Sequence, residues 1–224
     1  MPFENWFPVT VYYNDMPAAI EINKKIIPYV LKISQGEDYK VNSKSVAGYV
    51  GAGLYKHSFL HKHKELKELF VWLTEQVMVY AKRHKVDLEK HKLYIGRAWL
   101  TKTEKHGSIL LHDHGYAIFS GVYYLQAPEG AGALELTHPI DNAHGYIQTS
   151  RIYENFTHTD YQAVEGRVVI FPSYIKHATL RNSGDGERLS ISFDVFGIAM
   201  EGNTIPPAPD DLVKELDKYY EEKN

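Results

Sequence analysis

From residue 92 onward the chain never settles into one long periodic segment. It is cut into short apolar runs, each closed by Gly, Pro, Asn, Asp or another turn-forming residue: LYIGRAWLTKT, SILLHDH, FSGVYYLQA, ALELTHP, GYIQTSRIY, DYQAVEGRVVIFPS, HATLRNSG and RLSISFDVFG. Runs of this length, rich in β-branched and aromatic residues, are strands. About eight of them in succession predict a β-sandwich or jelly roll. The last run is the clearest. Leu189, Ile191, Phe193 and Val195 alternate with Arg188, Ser190, Ser192 and Asp194. A clean period of two predicts one apolar, packed face and one polar face headed by an arginine.

The first part of the chain has a different texture. FPVTVYYN (7–14) reads as a strand. Ile22, Ile26, Val30 and Ile33 fall near helical spacing, with Pro28 as a kink or break. Residues 35–60 are polar and Gly-rich and read as a long connection. Leu66, Leu69, Phe70, Leu73 and Val77 then form one apolar stripe in an otherwise charged segment, the strongest helix signal in the chain. The tail APDDLVKELDKYYEEKN predicts a charged helix. The expected organisation is one domain over 1–224. An N-terminal strand and supporting helices fill 1–91, a β core 92–200, and a C-terminal helix 207–224.

Composition narrows the function. The formal net charge of −3 gives no basic surplus, so nucleic acid is not an expected partner. No apolar stretch approaches the roughly 20 residues of a membrane span. The N-terminus lacks the basic and apolar regions of a signal peptide. These features predict a soluble, cytoplasmic protein with no membrane partner. There is no cysteine, which excludes disulfides, zinc thiolates and a cysteine nucleophile. Any metal must be held by Asp, Glu or some of the 12 histidines. Such ligands suit iron(II), manganese and zinc.

LLHDHGYAIF packs His112, Asp113 and His114 into consecutive positions. The cluster reads as a metal site, a surface accident or a hydrogen-bonded structural group. On a strand, residues two apart share a face about 6.5 Å apart. That period brings His112 and His114 together and turns Asp113 away. A third ligand must come from another strand, and His177 in FPSYIKHATL opens the penultimate one. Arg188, eleven residues on, offers a planar charged fork for a carboxylate, with Ser190 as a second donor. Taken singly, each of these residues reads as structural, as do the other nine histidines. Taken together they point to a metal site.

In order, the His-x-His, SGVYYLQAP, GALEL, GRVVIFPSYIKHAT and ERLSISF elements resemble the iron(II)- and 2-oxoglutarate-dependent oxygenases. The chain is most similar to a bacterial and phage subgroup with the signature HxH…SGVYY…FP…H…RxSISF, and also to the prolyl-hydroxylase branch. The resemblance covers about residues 92–197. It implies a double-stranded β-helix core of the jelly-roll, cupin-like kind. It also implies a non-haem dioxygenase, of hydroxylase type, that couples oxidative decarboxylation of 2-oxoglutarate to substrate C–H oxidation by O2. The substrate would be a small molecule or a peptide.

The resemblance further implies a facial set of three iron(II) ligands. His112 and His177 take two slots. The middle slot, a carboxylate in most of the family, falls on His114, with Asp113 as the alternative if the backbone bulges. Arg188, Ser190 and Tyr124 match residues that hold 2-oxoglutarate, whereas Tyr123 faces the core. From the residues themselves, Arg97 and Trp99 read as cavity-lining or structural, and the polar, aromatic segments 141–163 and 35–60 as candidate lids that contribute to the substrate site. Two other readings stay open: a three-histidine cupin-type dioxygenase or isomerase without 2-oxoglutarate, and a non-catalytic jelly-roll accessory protein. A homodimer through the helices is allowed, and nothing in the sequence requires one.

Overall fold

The computed structural model describes residues 8–34, 45–46, 49–51, 59–139 and 157–199. Its strands form two antiparallel sheets. The larger contains β1 (Tyr12–Asp15), β3 (Tyr49–Gly51), β4 (His91–Thr103), β6 (Phe119–Gln126), β9 (Arg167–Pro172) and β11 (Arg188–Ala199), in the order β1-β9-β6-β11-β4-β3. The smaller contains β2 (Ser45–Val46), β5 (Ser108–His112), β7 (Leu134–Thr137), β8 (His158–Tyr161) and β10 (His177–Thr179), in the order β2-β5-β10-β7-β8. This is the double-stranded β-helix.

Two helices, α1 (Ala19–Ser34) and α2 (Lys67–Arg83), cover the outer face of the large sheet. In α1, Ile22, Ile26 and Val30 recur every four residues and all are buried. The helix runs through Pro28 without ending there, where the sequence suggests a kink or break. Packing of its apolar stripe outweighs the one backbone hydrogen bond that a proline removes. In α2, Leu69, Phe70, Leu73 and Val77 are buried, and Leu66 precedes them in a short 3-10 turn. Among the described residues no helix is long and apolar enough to cross a membrane.

Alternation along the central strands divides the core in two. Tyr123, Leu125, Ile191, Phe193 and Val195 pack toward the helices. Val122 and Tyr124 point the other way, into a second cluster with Leu134, Leu136, Val169, Phe171 and Ile175 between the sheets. β6 is therefore buried on both faces, which explains its unbroken run of apolar and small residues. Gly121 faces Phe193 on the neighbouring strand. A Cβ there would lie 2.2 Å from Cζ of the phenyl ring. Gly121→Ala is expected to cost about 1–3 kcal/mol through overpacking, read as a lower urea midpoint.

Some expectations shift. Residues 35–60 are not only a connection, because they contribute β2 and β3, one short strand to each sheet. DYQAVEGRVVIFPS divides into β8 and β9, with Gly166 at φ +82° in the turn between them. The strand expected over 145–153, the helix over 207–224 and most of both lid segments lie outside the described residues.

Candidate active site

The inner face of the large sheet carries a polar ladder. Arg188, Ser190, Ser192 and Asp194 alternate inward on β11. Their partners on β4 are Thr103, Thr101, Trp99 and Arg97. On β6, Tyr124, Val122 and Ser120 face Ser190, Ser192 and Asp194. Arg188, Ser190 and Asp194 are buried, so this polar face lines an interior site. Gly96 is an extra residue on β4 between Arg97 and Ile95, where the register shifts beside Asp194. Bulges of this kind re-aim side chains beside functional sites.

His112, His114 and His177 come together opposite the Asp194 end of this ladder. His177 pairs with His112 across β10 and β5, so their side chains are direct cross-strand neighbours. Ring centroids are 4.3 Å apart for His112 and His177, 4.9 Å for His114 and His177, and 5.2 Å for His112 and His114. One nitrogen from each ring lies within 4.8 Å of the others.

His114 reaches the cluster by a route that strand periodicity does not describe. β5 ends at His112, and His114 sits beyond it. There its backbone N–H donates to Ser173 O at 3.2 Å, and its carbonyl accepts from Ala117 N–H. Asp113 is exposed, with its carboxylate toward Gly115 rather than toward the histidines.

The tautomers follow from the neighbours. His112 Nδ1 lies 2.8 Å from Leu110 O, His177 Nδ1 3.0 Å from Ile175 O, and His114 Nδ1 2.6 Å from Asp194 Oδ1. Each partner is an acceptor, so each Nδ1 carries the proton. Nε2 is then the nitrogen that each ring offers to the cluster. Burial, reinforced by the two facing imidazoles, pushes His177 down to about 3. A neutral, Nδ1-protonated imidazole is the form that ligates a divalent metal. Three such nitrogens on one side of a site, with no thiolate available, fit iron(II).

At the other end, Arg188 donates from Nη1 to Ala131 O at 2.8 Å and Gly132 O at 3.2 Å, and from Nη2 to Thr103 Oγ1 at 3.0 Å. The hydroxyls of Tyr124 and Thr101, on either side of Ser190, are buried without a hydrogen-bond partner. Burial raises Tyr124 to about 12, and the Arg188 guanidinium works against that rise. Buried hydroxyls left unpaired are rare and ask for a missing ligand or water. Arg97 and Trp99 do flank the cluster. The Trp99 ring is 5.4 Å from that of His114, and the Arg97 guanidinium stacks over Trp99 at 5.4 Å. Tyr123 faces the other way and donates to Asn23 Oδ1 at 2.8 Å.

The site also contains residues whose roles the sequence does not announce. Asp194 accepts from His114 and from Ser120 Oγ at 2.9 Å, and Ser120 is linked to Ser173 Oγ at 2.8 Å. The only sequence signal for Asp194 is its place on the polar face of RLSISFD.

Residues 97–194 match the family model described as putative 2OG-Fe(II) oxygenase. No curated protein matches the chain. Solved structures share the fold at low identity. A prolyl hydroxylase from Trichoplax adhaerens, in complex with a hypoxia inducible factor peptide, is 12% identical with a TM-score of 0.56, covering 84% of this chain and 83% of that one. The α-ketoglutarate-dependent carbocyclase SnoK of nogalamycin biosynthesis is 13% identical with a TM-score of 0.58, covering 92% and 85%. HygX from Streptomyces hygroscopicus, with nickel, 2-oxoglutarate and hygromycin B bound, is 13% identical with a TM-score of 0.52, covering 88% and 85%. The matched segment resembles the 2-oxoglutarate- and iron(II)-dependent oxygenases, and the fold is the one these solved structures share.

Proposed function

We propose that His112, His114 and His177 hold the iron, that Arg188, Ser190 and Tyr124 hold 2-oxoglutarate, and that the enzyme hydroxylates its substrate. The observation that carries this reading is the set of three histidines whose Nδ1 atoms are all committed to acceptors while one nitrogen of each converges with the others. Bound iron(II) would let O2 act as the oxidant, with two electrons drawn from 2-oxoglutarate by its oxidative decarboxylation and two from the substrate C–H bond. The chain's own residues orient and enclose. The two sheets hold the imidazoles on stiff backbone. Arg188 sets a fixed positive charge behind the unpaired Tyr124 and Thr101 hydroxyls, a pocket suited to a carboxylate.

The substrate is a peptide or a small molecule, the classes bound by the Trichoplax hydroxylase and by HygX. A cytoplasmic setting accords with a cysteine-free chain. Anaerobic titration tests the assignment. Iron(II) and 2-oxoglutarate together should raise the melting temperature more than either alone, and aerobic incubation should release succinate. A metal-bound protein indifferent to 2-oxoglutarate would favour the three-histidine enzyme without that cosubstrate. Absence of stoichiometric metal would favour the accessory protein.

Tyr124→Phe separates the pocket from the fold. The unpaired hydroxyl contributes nothing to the ligand-free protein, since an unsatisfied buried donor costs about 1–3 kcal/mol. The variant should therefore melt at the same temperature as wild type, or higher, without 2-oxoglutarate. Its stabilisation by 2-oxoglutarate should be smaller, because a bond of about 0.5–1.5 kcal/mol is gone. Thermal melts with and without ligand check both signs.

A further inference from the structure

Where most of the family places a carboxylate on the metal, this chain has an imidazole, and a buried carboxylate stands directly behind it. We infer that Asp194 is a positioning residue that returns the missing negative charge to the metal site through His114. The inference rests on the three-histidine reading above.

Asp194 is 1% exposed and lies on β11, a strand that contributes no ligand. A carboxylate is costly to bury, so its partners identify what it serves. Oδ1 is 2.6 Å from His114 Nδ1 and accepts from Ser120 Oγ at 2.9 Å. The Arg97 Nη1 atom lies 3.6 Å from Oδ2, and that side chain is 42% exposed and screened by solvent. The short, well-buried contact is the one to His114.

The other two rings are held differently. His112 and His177 turn Nδ1 to backbone carbonyls. His114, in the slot where the family pattern has its acid, turns Nδ1 to a side-chain acid instead. The surroundings fix the contact. Ser120 bridges Asp194 to Ser173, and the Ser173 carbonyl receives the His114 backbone N–H at 3.2 Å. Ring and backbone of His114 are thus tied to one network.

The chemistry of this pairing is specific. A carboxylate accepting from Nδ1–H raises the basicity of Nε2 and fixes the tautomer. It also leaves one unit of negative charge an imidazole's width from the ion. His114 and Asp194 together then match the charge of a ligating aspartate. An acid at position 114 would make Asp194 superfluous and set two carboxylates against each other.

The test is Mn(II) binding to the full-length protein under anaerobic conditions, with folding followed by circular dichroism. Asp194→Asn keeps an oxygen acceptor for Nδ1 and removes the charge. It should weaken Mn(II) binding about 10–100-fold. His114→Asp alone should also bind weakly, with two acids facing each other. His114→Asp combined with Asp194→Asn should recover affinity to within a few-fold of wild type. A structural role for Asp194 would make Asp194→Asn harmful in both backgrounds. If Asp194→Asn alone fails to fold, comparison of His114→Asp with the double variant still decides. Equal affinity of Asp194→Asn and wild type, or a double variant weaker than His114→Asp, overturns the inference and leaves the three-histidine assignment standing. Failure of wild type to bind Mn(II) overturns both.

Discussion

His177→Ala is expected to abolish stoichiometric metal binding and, with it, 2-oxoglutarate turnover. His177 is the most buried of the three histidines and the direct strand partner of His112. Its ring lies within 4.9 Å of both other rings and packs edge-on against Phe171. The loss should exceed the roughly 10–100-fold that removal of an outer-shell partner costs a metal site. Three ligands acting as one unit are not additive, so a second His→Ala change should reduce activity little further.

Folding and binding are separable in this variant. Burial holds the His177 imidazole neutral and its Nδ1–H donates to Ile175 O, so its removal from the metal-free protein unpairs no charge and costs mainly packing against Phe171. Wild type should gain about 2.7 kcal/mol at a metal concentration 100 times Kd. His177→Ala should gain nothing from added metal, and its metal-free melting temperature should be lower only by the cost of the cavity left against Phe171. A metal-dependent shift that survives in His177→Ala would remove it from the ligand set.

The residues of this site differ in how plainly the sequence shows them. β11 is legible because its alternation is local: each of Leu189, Ile191, Phe193 and Val195 lies two positions from the next. His177 is legible because it opens a strand after a Pro turn. His114 joins the cluster for a reason the sequence does not hold. Strand period selects it, yet β5 stops at His112, and a long-range bond to Ser173 turns the backbone inward. The pairing of Asp194 with His114 spans 80 residues and lies beside the bulge at Gly96, so no local pattern encodes it. β2 and β3 do not show in the sequence for a related reason. Two- and three-residue strands carry too little periodicity to stand out from a Gly-rich connection and form through their partners.

Arg188 gives the second large effect, and its conservative variant is the informative one. Its guanidinium is 1% exposed and spans two backbone carbonyls and the Thr103 hydroxyl. Gly132, which supplies one of those acceptor carbonyls, sits at φ +79° where a Cβ would meet Leu180 O at 2.3 Å. The backbone turn that receives the fork is therefore built for close approach. Arg188→Ala removes the fork, leaves buried carbonyls unpaired and opens a cavity. It should cost about 2–5 kcal/mol of stability as well as 2-oxoglutarate binding. Arg188→Lys keeps the charge and loses the planar geometry. A single ammonium cannot hold Ala131, Gly132 and Thr103 while also presenting donors to a bound carboxylate. Arg188→Lys should therefore bind Mn(II) as wild type does, since residue 188 is no ligand, and bind 2-oxoglutarate about 10-fold or more weakly, a loss of about 1.4 kcal/mol or more. The check is a pair of titrations on one preparation, metal first and 2-oxoglutarate second. Undiminished 2-oxoglutarate binding in Arg188→Lys would leave Arg188 with the fold alone, and the cosubstrate carboxylate would then have to be sought at the Tyr124 and Thr101 hydroxyls without it.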